Sequence, residues 1–175
     1  DASTLPDLLR DCLPAMFPSG RFAVWVTGLE LFIKHPEDWT IEIDPVWNWL
    51  KGQTGALAFR ARDKLPWQEN NSLDSAFPNR SAPHNALVVA PILEVESNTP
   101  IGGVYLELHS LAQPWDTRSL ESLFPAVLSL AAQIASALHQ AAIYAQALAY
   151  QKVSQELALA GKIQASFLPD ELPRL

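Results

Sequence analysis

The sequence predicts an α+β domain in which an antiparallel sheet is flanked by helices and a long helix closes the chain. Three observations predict this fold class. Apolar, β-rich runs come in two pairs separated by short turns, which is typical of antiparallel hairpins. A helical apolar pattern precedes the first pair. A second and much longer helical pattern follows the last pair.

The composition excludes several classes of protein. The chain has 175 residues, of which 49% are hydrophobic, so it can bury a core. A net charge of -7 argues against nucleic-acid binding, which needs a basic face. The single cysteine excludes a disulfide framework and a multi-cysteine zinc site. We expect a cytoplasmic protein, and because the chain begins at Asp1 and ends within a pattern, we interpret it as a piece of a longer one.

A stretch without acidic or basic residues requires a membrane test. No Asp, Glu, Lys or Arg occurs over residues 122–151. Polar residues interrupt the stretch at short intervals: Ser129, Gln133, Ser136, His139, Gln140 and Gln146. Much of the remainder is alanine, which favours packing against other helices over contact with lipid. We therefore expect no membrane partner, and a transmembrane helix is the alternative.

The first helix is predicted from its N-terminal signals and one apolar stripe. Ser3 or Thr4 can cap it, and Pro6 suits its first turn. Pro14 is expected to kink or shorten its end. Apolar residues recur at three- and four-residue steps: Leu5, Leu8, Leu9, Cys12, Leu13 and Met16.

A β-hairpin is predicted next. Residues 21–27 read as a buried strand, Gly28 suits the turn, and residues 29–34 return as the partner strand. A further short strand is predicted at 40–43 from its alternation of polar and apolar residues.

A short helix and a third strand follow. Asp44 is expected to cap the helix, with Pro45 at its first position and Gly52 as a left-handed exit. Residues 55–61 read as a strand. Residues 62–85 read as a long polar loop, which inside a compact domain is typical of a functional cover over a pocket.

The second hairpin is the clearest strand signal. Residues 86–94 and 101–109 are apolar runs joined by a polar turn. Pro91 predicts a bulge or an edge position, because proline cannot donate to the ladder. The long helix is expected to start at Asp116 or Thr117.

The long helix is too extended for the sheet alone. Pro125 should bend its early turns, and from there to Gly161 nothing interrupts it, so residues 117–166 would span about 75 Å. Two seven-residue series resemble a coiled-coil seam: Val127, Ile134, Ala141 and Leu148, and Leu130, Ala137 and Tyr144. We predict a parallel homodimer, with the first helix as a candidate to complete a four-helix bundle. The alternative is a helix lying entirely on its own sheet.

The order of elements and three segments resemble a GAF domain, a sensory α+β fold. The segments are residues 86–93, residues 101–108, and the run 120–144 that ends QIASALHQAAIY. The resemblance covers residues 1–144 and implies an antiparallel sheet between helices with a ligand pocket. A PAS domain is the nearest rival. The family's cyclic-nucleotide signature is not evident, so no cyclic nucleotide is predicted.

The end of the chain resembles a second family. Residues 156–169, ELALAGKIQASFLP, are similar to the segment leading into the catalytic domain of bacterial metal-dependent serine phosphatases of the stage II sporulation E type. Gly161 departs from the charged residue expected there. The resemblance implies a signalling helix over 145–166 and the start of a phosphatase domain at 167–175. A histidine kinase is the alternative output.

Few residues are candidates for a site. Cys12 is predicted to be a core cysteine because it lies on the apolar stripe. No two of the four histidines are close in sequence, so no metal site is predicted. Only His84 falls in the predicted covering loop, where it is a candidate to contact a ligand in the pocket, with a solvated side chain as the alternative. Trp25 and Trp47 are candidates to line a pocket, with core packing as the alternative.

The acidic residues of one segment are predicted to be solvated rather than catalytic: Glu37, Asp38, Glu42 and Asp44. No Walker motif, dinucleotide-binding glycine pattern or nucleophile elbow is present. We expect no cofactor and no catalysis by this chain itself. The predicted function is a sensory and dimerisation domain that controls a C-terminal serine/threonine phosphatase and takes an unidentified small-molecule ligand. A ligand-free dimerisation scaffold is the alternative.

Overall fold

The computed structural model describes residues 5–16, 20–61, 63–67, 85–108 and 116–167, and it confirms the α+β class. The elements in chain order are α1 (Leu5–Met16), β1 (Gly20–Val26), β2 (Leu31–His35), α2 (Asp44–Leu50), β3 (Leu57–Phe59), β4 (Ala86–Leu93), β5 (Pro100–Leu108), α3 (Thr117–Glu121) and α4 (Phe124–Phe167). The chain divides into two compact units, Asp1–His139 and Gln140–Leu175.

The sheet is antiparallel throughout, in the order β2-β1-β5-β4-β3. Both predicted hairpins are present, and Gly28 supplies the first turn at φ 85. Pro91 lies beyond the end of β3, which pairs only with Leu87–Val89, and an irregular register follows at Ile92. Proline is therefore accommodated where β4 has one free edge.

Helices cover one face of the sheet. Alternate strand residues such as Phe22, Val88 and Leu106 are buried there. They share one core with Leu9 of α1 and Ile134 of α4. α1 and the first turns of α4 each bury an apolar stripe against this face. The two helices and the sheet therefore form one hydrophobic core.

Two details of α1 differ from expectation. Its buried residues are Leu5, Leu9 and Leu13, about one per turn, whereas Leu8 is exposed. Cys12 is exposed as well, so the prediction of a core cysteine is wrong. The buried stripe is narrower than the apolar sequence pattern and leaves Cys12 outside it. The predicted caps Ser3 and Thr4 lie outside the described residues.

The structure also differs from the sequence prediction on both sides of α2. Residues 40–43 form no strand. Ile43 is the N-cap and makes no side-chain hydrogen bond, while Asp44 lies in the first turn, so the predicted Asp44 cap is wrong. Gly52 does not adopt the left-handed conformation. Instead, the chain leaves the helix through right-handed turns, in which the N–H of Gly52 donates to the carbonyl of Trp49 at 3.2 Å.

The long helical segment is interrupted early. α3 ends at Glu121 and α4 begins at Phe124, directly before Pro125. Proline at the start of a helix loses no hydrogen bond, so the predicted bend takes the form of a break between two helices. The segment Thr117–Ala165 is long and apolar enough to cross a membrane by length and composition alone, and 28% of its most apolar window is buried.

The start of α3 is capped by Asp116. Its Oδ1 accepts the N–H of Ser119 at 2.7 Å. This backbone hydrogen bond holds the pKa of the Asp116 carboxyl below its usual value. A lowered folded-state pKa contributes stability that is present above the ordinary carboxyl pKa and is lost as the pH falls through the lowered value.

We expect Asp116→Ala to lower the free energy of unfolding at pH 7 and to make little difference below the lowered pKa, because the protonated carboxyl caps weakly. Urea titrations of both proteins across the acid range measure this. Asp116→Asn is the control, since its amide oxygen caps without titrating. A deficit of Asp116→Ala that stays constant with pH would contradict the prediction.

Candidate functional site

The sheet face opposite α1 is rich in aromatic residues, and we call it the aromatic face. Its buried members are Ala23, Trp25, Trp39, Val46, Leu50, Leu65, Trp67, Leu87, Val89 and Tyr105. Trp47 is partly buried and packs against this cluster. The structure therefore brings Trp25 and Trp47, both predicted from sequence, to one face. His84 lies outside the described residues.

Trp25 fills the centre of the aromatic face. It lies opposite Gly103 in the pairing of β1 with β5. A Cβ atom on Gly103 would come within 2.4 Å of the Trp25 ring and 2.6 Å of Leu50 Cδ2. Only glycine leaves room for the indole between the sheet and α2, so this part of the face is occupied by protein side chains.

Two indole N–H groups of this face are buried without a hydrogen-bond acceptor within the described parts of the chain. They belong to Trp25 and Trp67. A buried donor without an acceptor is costly, so these groups are points where a hydrogen-bond acceptor would stabilise the face.

Three rings form a second aromatic group beside α2. Trp49 and Trp67 have ring centroids 5.3 Å apart, and Phe59 packs edge-on to Trp67 at 5.5 Å. These distances are typical of favourable aromatic pairs. The group ties α2, β3 and the segment around Trp67 together.

Polar groups occupy the other end of the face. Glu107 is 1% exposed, and its Oε1 accepts the Nδ2–H of buried Asn85 at 2.6 Å. Arg21 is the cross-strand neighbour of Glu107, and its guanidinium carbon lies 5.9 Å from the centroid of the Trp39 ring. Trp39 in turn packs on Tyr105 at 5.8 Å. A carboxylate, an amide, a guanidinium and two rings are groups that bind ligands.

Sequence reasoning missed this polar end. Val104, Leu106 and Leu108 face the helices, so strand alternation alone places Glu107 on the opposite face. A carboxylate within a strand that is apolar on both faces is a signal for a buried charge with a partner. Asn85 carries no such signal, because only the β4–β5 pairing brings it to Glu107.

The histidines do not converge. His35 stacks on a phenylalanine ring of β1, and Nε2 of His139 lies 4.0 Å from a Glu96 carboxylate oxygen. His84 and His109 are outside the described residues. Within the described ranges, no group of three or more His, Cys, Asp or Glu residues could hold a metal ion.

The acidic segment behaves as the sequence indicates. Glu37, Asp38, Glu42 and Asp44 are all exposed, which confirms a solvated surface.

We expect Asn85→Ala to lower the free energy of unfolding by about 1–3 kcal/mol, because it removes a hydrogen bond to a buried carboxylate. Urea denaturation measures this. Asn48→Ala is the matched control, since Asn48 is exposed on α2 and should change stability by less than about 0.5 kcal/mol. Equal effects of the two substitutions would contradict a structural role for the Asn85–Glu107 bond.

The fold and the aromatic face define an α+β protein with a five-stranded antiparallel sheet that carries α1 and α4 on one side, and α2 with a tryptophan-rich core on the other. No protein-family model, no curated protein and no solved structure matches the chain.

Proposed function

We propose that the chain is a dimeric, GAF-like sensory domain in the bacterial cytoplasm that controls a serine/threonine phosphatase joined to its C-terminus. The observation that carries the proposal is the change from buried to exposed apolar residues along α4. Its first turns are buried in the domain core around Val127 and Ile134, and the same helix continues with exposed large apolar side chains. A helix of this kind links a domain to something beyond it.

The arrangement of the first unit supports a sensory role. An antiparallel sheet lies between α1 and α4 on one side and α2 on the other, which is the arrangement that the resemblance to GAF domains implies. The Trp25 ring of β1 and the Leu50 side chain of α2 both lie against Gly103 of β5. A ligand that binds one packing of the aromatic face more tightly would therefore shift β1 and β5. The opposite face of these strands packs against the first turns of α4.

The second unit supports dimerisation. Its exposed large apolar residues are Ile143, Tyr144, Leu148, Tyr150, Val153, Leu157, Leu159 and Ile163. So many apolar side chains on one exposed helix indicate a surface that another chain covers. A shift in how two such helices pair would change the relative placement of two output domains, provided the ligand binds one pairing better than the other.

The ligand-free scaffold is favoured by one specific observation. The Trp25 indole occupies the space above Gly103, so the centre of the aromatic face is filled by side chains. In this second candidate function the domain pairs two phosphatase chains and receives its signal from another protein.

Native mass spectrometry of the purified chain tests the proposal. The sensory function predicts a dimer that carries a small molecule, whereas the scaffold predicts a dimer without one. A chain that stays monomeric at high concentration would overturn both.

The phosphatase assignment has its own test. The full-length protein should dephosphorylate phosphoserine peptides when supplied with manganese, and the 175-residue chain alone should not. Activity of the chain alone, or an inactive full-length protein with a different output domain, would overturn this part.

A further inference from the structure

We propose that two copies of this chain pair in parallel through one particular face of α4, formed by Ile143, Tyr150, Val153, Leu157 and Ala160, which we call the distal seam. This inference rests on the proposed dimeric function and specifies its interface. The distal seam is not the continuation of the stripe that packs in the domain core.

The core stripe loses its apolar character along α4. Val127, Leu130 and Ile134 are buried against the sheet, so they are not available to a second copy. The two series continue to Tyr144 and Leu148. Of the four positions that follow at the same spacing up to residue 162, three are polar, Gln151, Gln155 and Lys162, and one is Ala158. A partner helix on this stripe would therefore meet two amides and a lysine.

The distal seam has its own seven-residue spacing. Ile143, Tyr150 and Leu157 are seven apart, and Val153 and Ala160 fill the intervening positions after Gln146. The four large side chains are between 52% and 78% exposed. At 3.6 residues per turn, this face lies about 150° around the helix from the continuation of the core stripe.

The positions of the charged residues in 140–167 favour pairing through the distal seam over pairing through the core stripe. Residues 140–167 contain only three charged side chains, Lys152, Glu156 and Lys162. In a pair formed through the distal seam, both lysines occupy outward positions and Glu156 lies at the flank. A pair formed through the core stripe would bury Lys162 beside its own copy, which costs desolvation and repulsion.

The available area fits a second copy of this helix. The exposed parts of Ile143, Tyr150, Val153 and Leu157 amount to roughly 500 Å² per chain, and flanking atoms bring this towards the ~800 Å² per partner of a stable interface. The low charge of the segment also leaves little repulsion between identical chains.

Disulfide crosslinking tests the face used. Single cysteines replace Tyr150, Val153 or Leu157 in a Cys12→Ser background, which removes the exposed native thiol. Gln155→Cys and Leu148→Cys are matched controls on the core stripe. Same-position pairs in a parallel coiled coil meet the geometry of a disulfide, so the three seam variants should form covalent dimers at least ten times faster than the controls.

A charge substitution gives a second measurement. Val153→Lys should weaken the dimer at least tenfold in sedimentation equilibrium, whereas Gln155→Lys, exposed on the other stripe, should not. Circular dichroism verifies that both variants fold.

The outcomes separate this inference from the proposed function. Faster crosslinking at Gln155 and Leu148 would overturn the distal seam while leaving a dimer. Monomers with no crosslinks at any position would overturn both. Monomers that sediment with phosphatidylglycerol vesicles would overturn both as well and identify the apolar helix as a membrane-binding element.

Discussion

Gly102→Ala is expected to lower the free energy of unfolding by about 3 kcal/mol or more, or to prevent folding. A Cβ atom at this position would lie 2.0 Å from the carbonyl oxygen of Trp25 and 2.9 Å from the Cα atom of Val26. Both obstacles are backbone atoms of β1, so no side-chain rotation relieves the clash. The strands β1 and β5 would have to separate at the end of β1, where Val26 pairs with Gly102.

Gly55→Ala provides the matched control for this substitution. A Cβ atom on Gly55 meets nothing within 4 Å, and the residue has no left-handed backbone conformation. The expected change is within about 0.5 kcal/mol, or a gain of up to about 1 kcal/mol from the less flexible unfolded chain. Urea denaturation of both variants measures the difference. A Gly102→Ala protein as stable as the Gly55→Ala protein would show that β1 and β5 do not approach this closely.

Ile134→Ala is expected to cost about 2–5 kcal/mol in the unfolding of the domain. Ile134 is 1% exposed and lies in the core that α1, the sheet and α4 share. The substitution removes three carbons from this core, and the neighbouring residues belong to separate elements that cannot all close the space. Thermal and urea unfolding give the loss directly.

Leu148→Ala is the control for Ile134→Ala, because both residues belong to the same predicted seven-residue series. Leu148 is 47% exposed, so its truncation should change domain stability by less than about 1 kcal/mol. A coiled coil running along the whole series would make the two substitutions similar in cost. Similar costs would therefore contradict the burial of Ile134 within its own domain.

The elements that could be predicted from sequence are those specified by local patterns. Both hairpins have apolar strands around a short turn, and Asp116 precedes its helix with the cap that the structure shows. The errors arose where the local signal was weak. The alternation at 40–43 is too short to make a strand without a partner, and Ile43 rather than Asp44 occupies the N-cap position of α2, without a side-chain cap.

The candidate site was predicted only in part. Trp25 and Trp47 reach one face because each lies in an element with a clear pattern. Glu107 and Asn85 are 22 residues apart, and their hydrogen bond exists only because β4 and β5 pair in one register. The prediction that Cys12 is buried is wrong because an apolar stripe in sequence is wider than the strip of helix that contacts the sheet.

By itself, the sequence determined the fold class, the two hairpins and the existence of a helix longer than its domain, because these follow from periodicity and turn residues. Only the tertiary structure decided that β1 lies beside β5 and that Gly103 makes room for Trp25. It also decided where along α4 burial ends. These features depend on contacts between segments far apart in the chain, and local residue patterns carry no information about which distant surface an apolar side chain will meet.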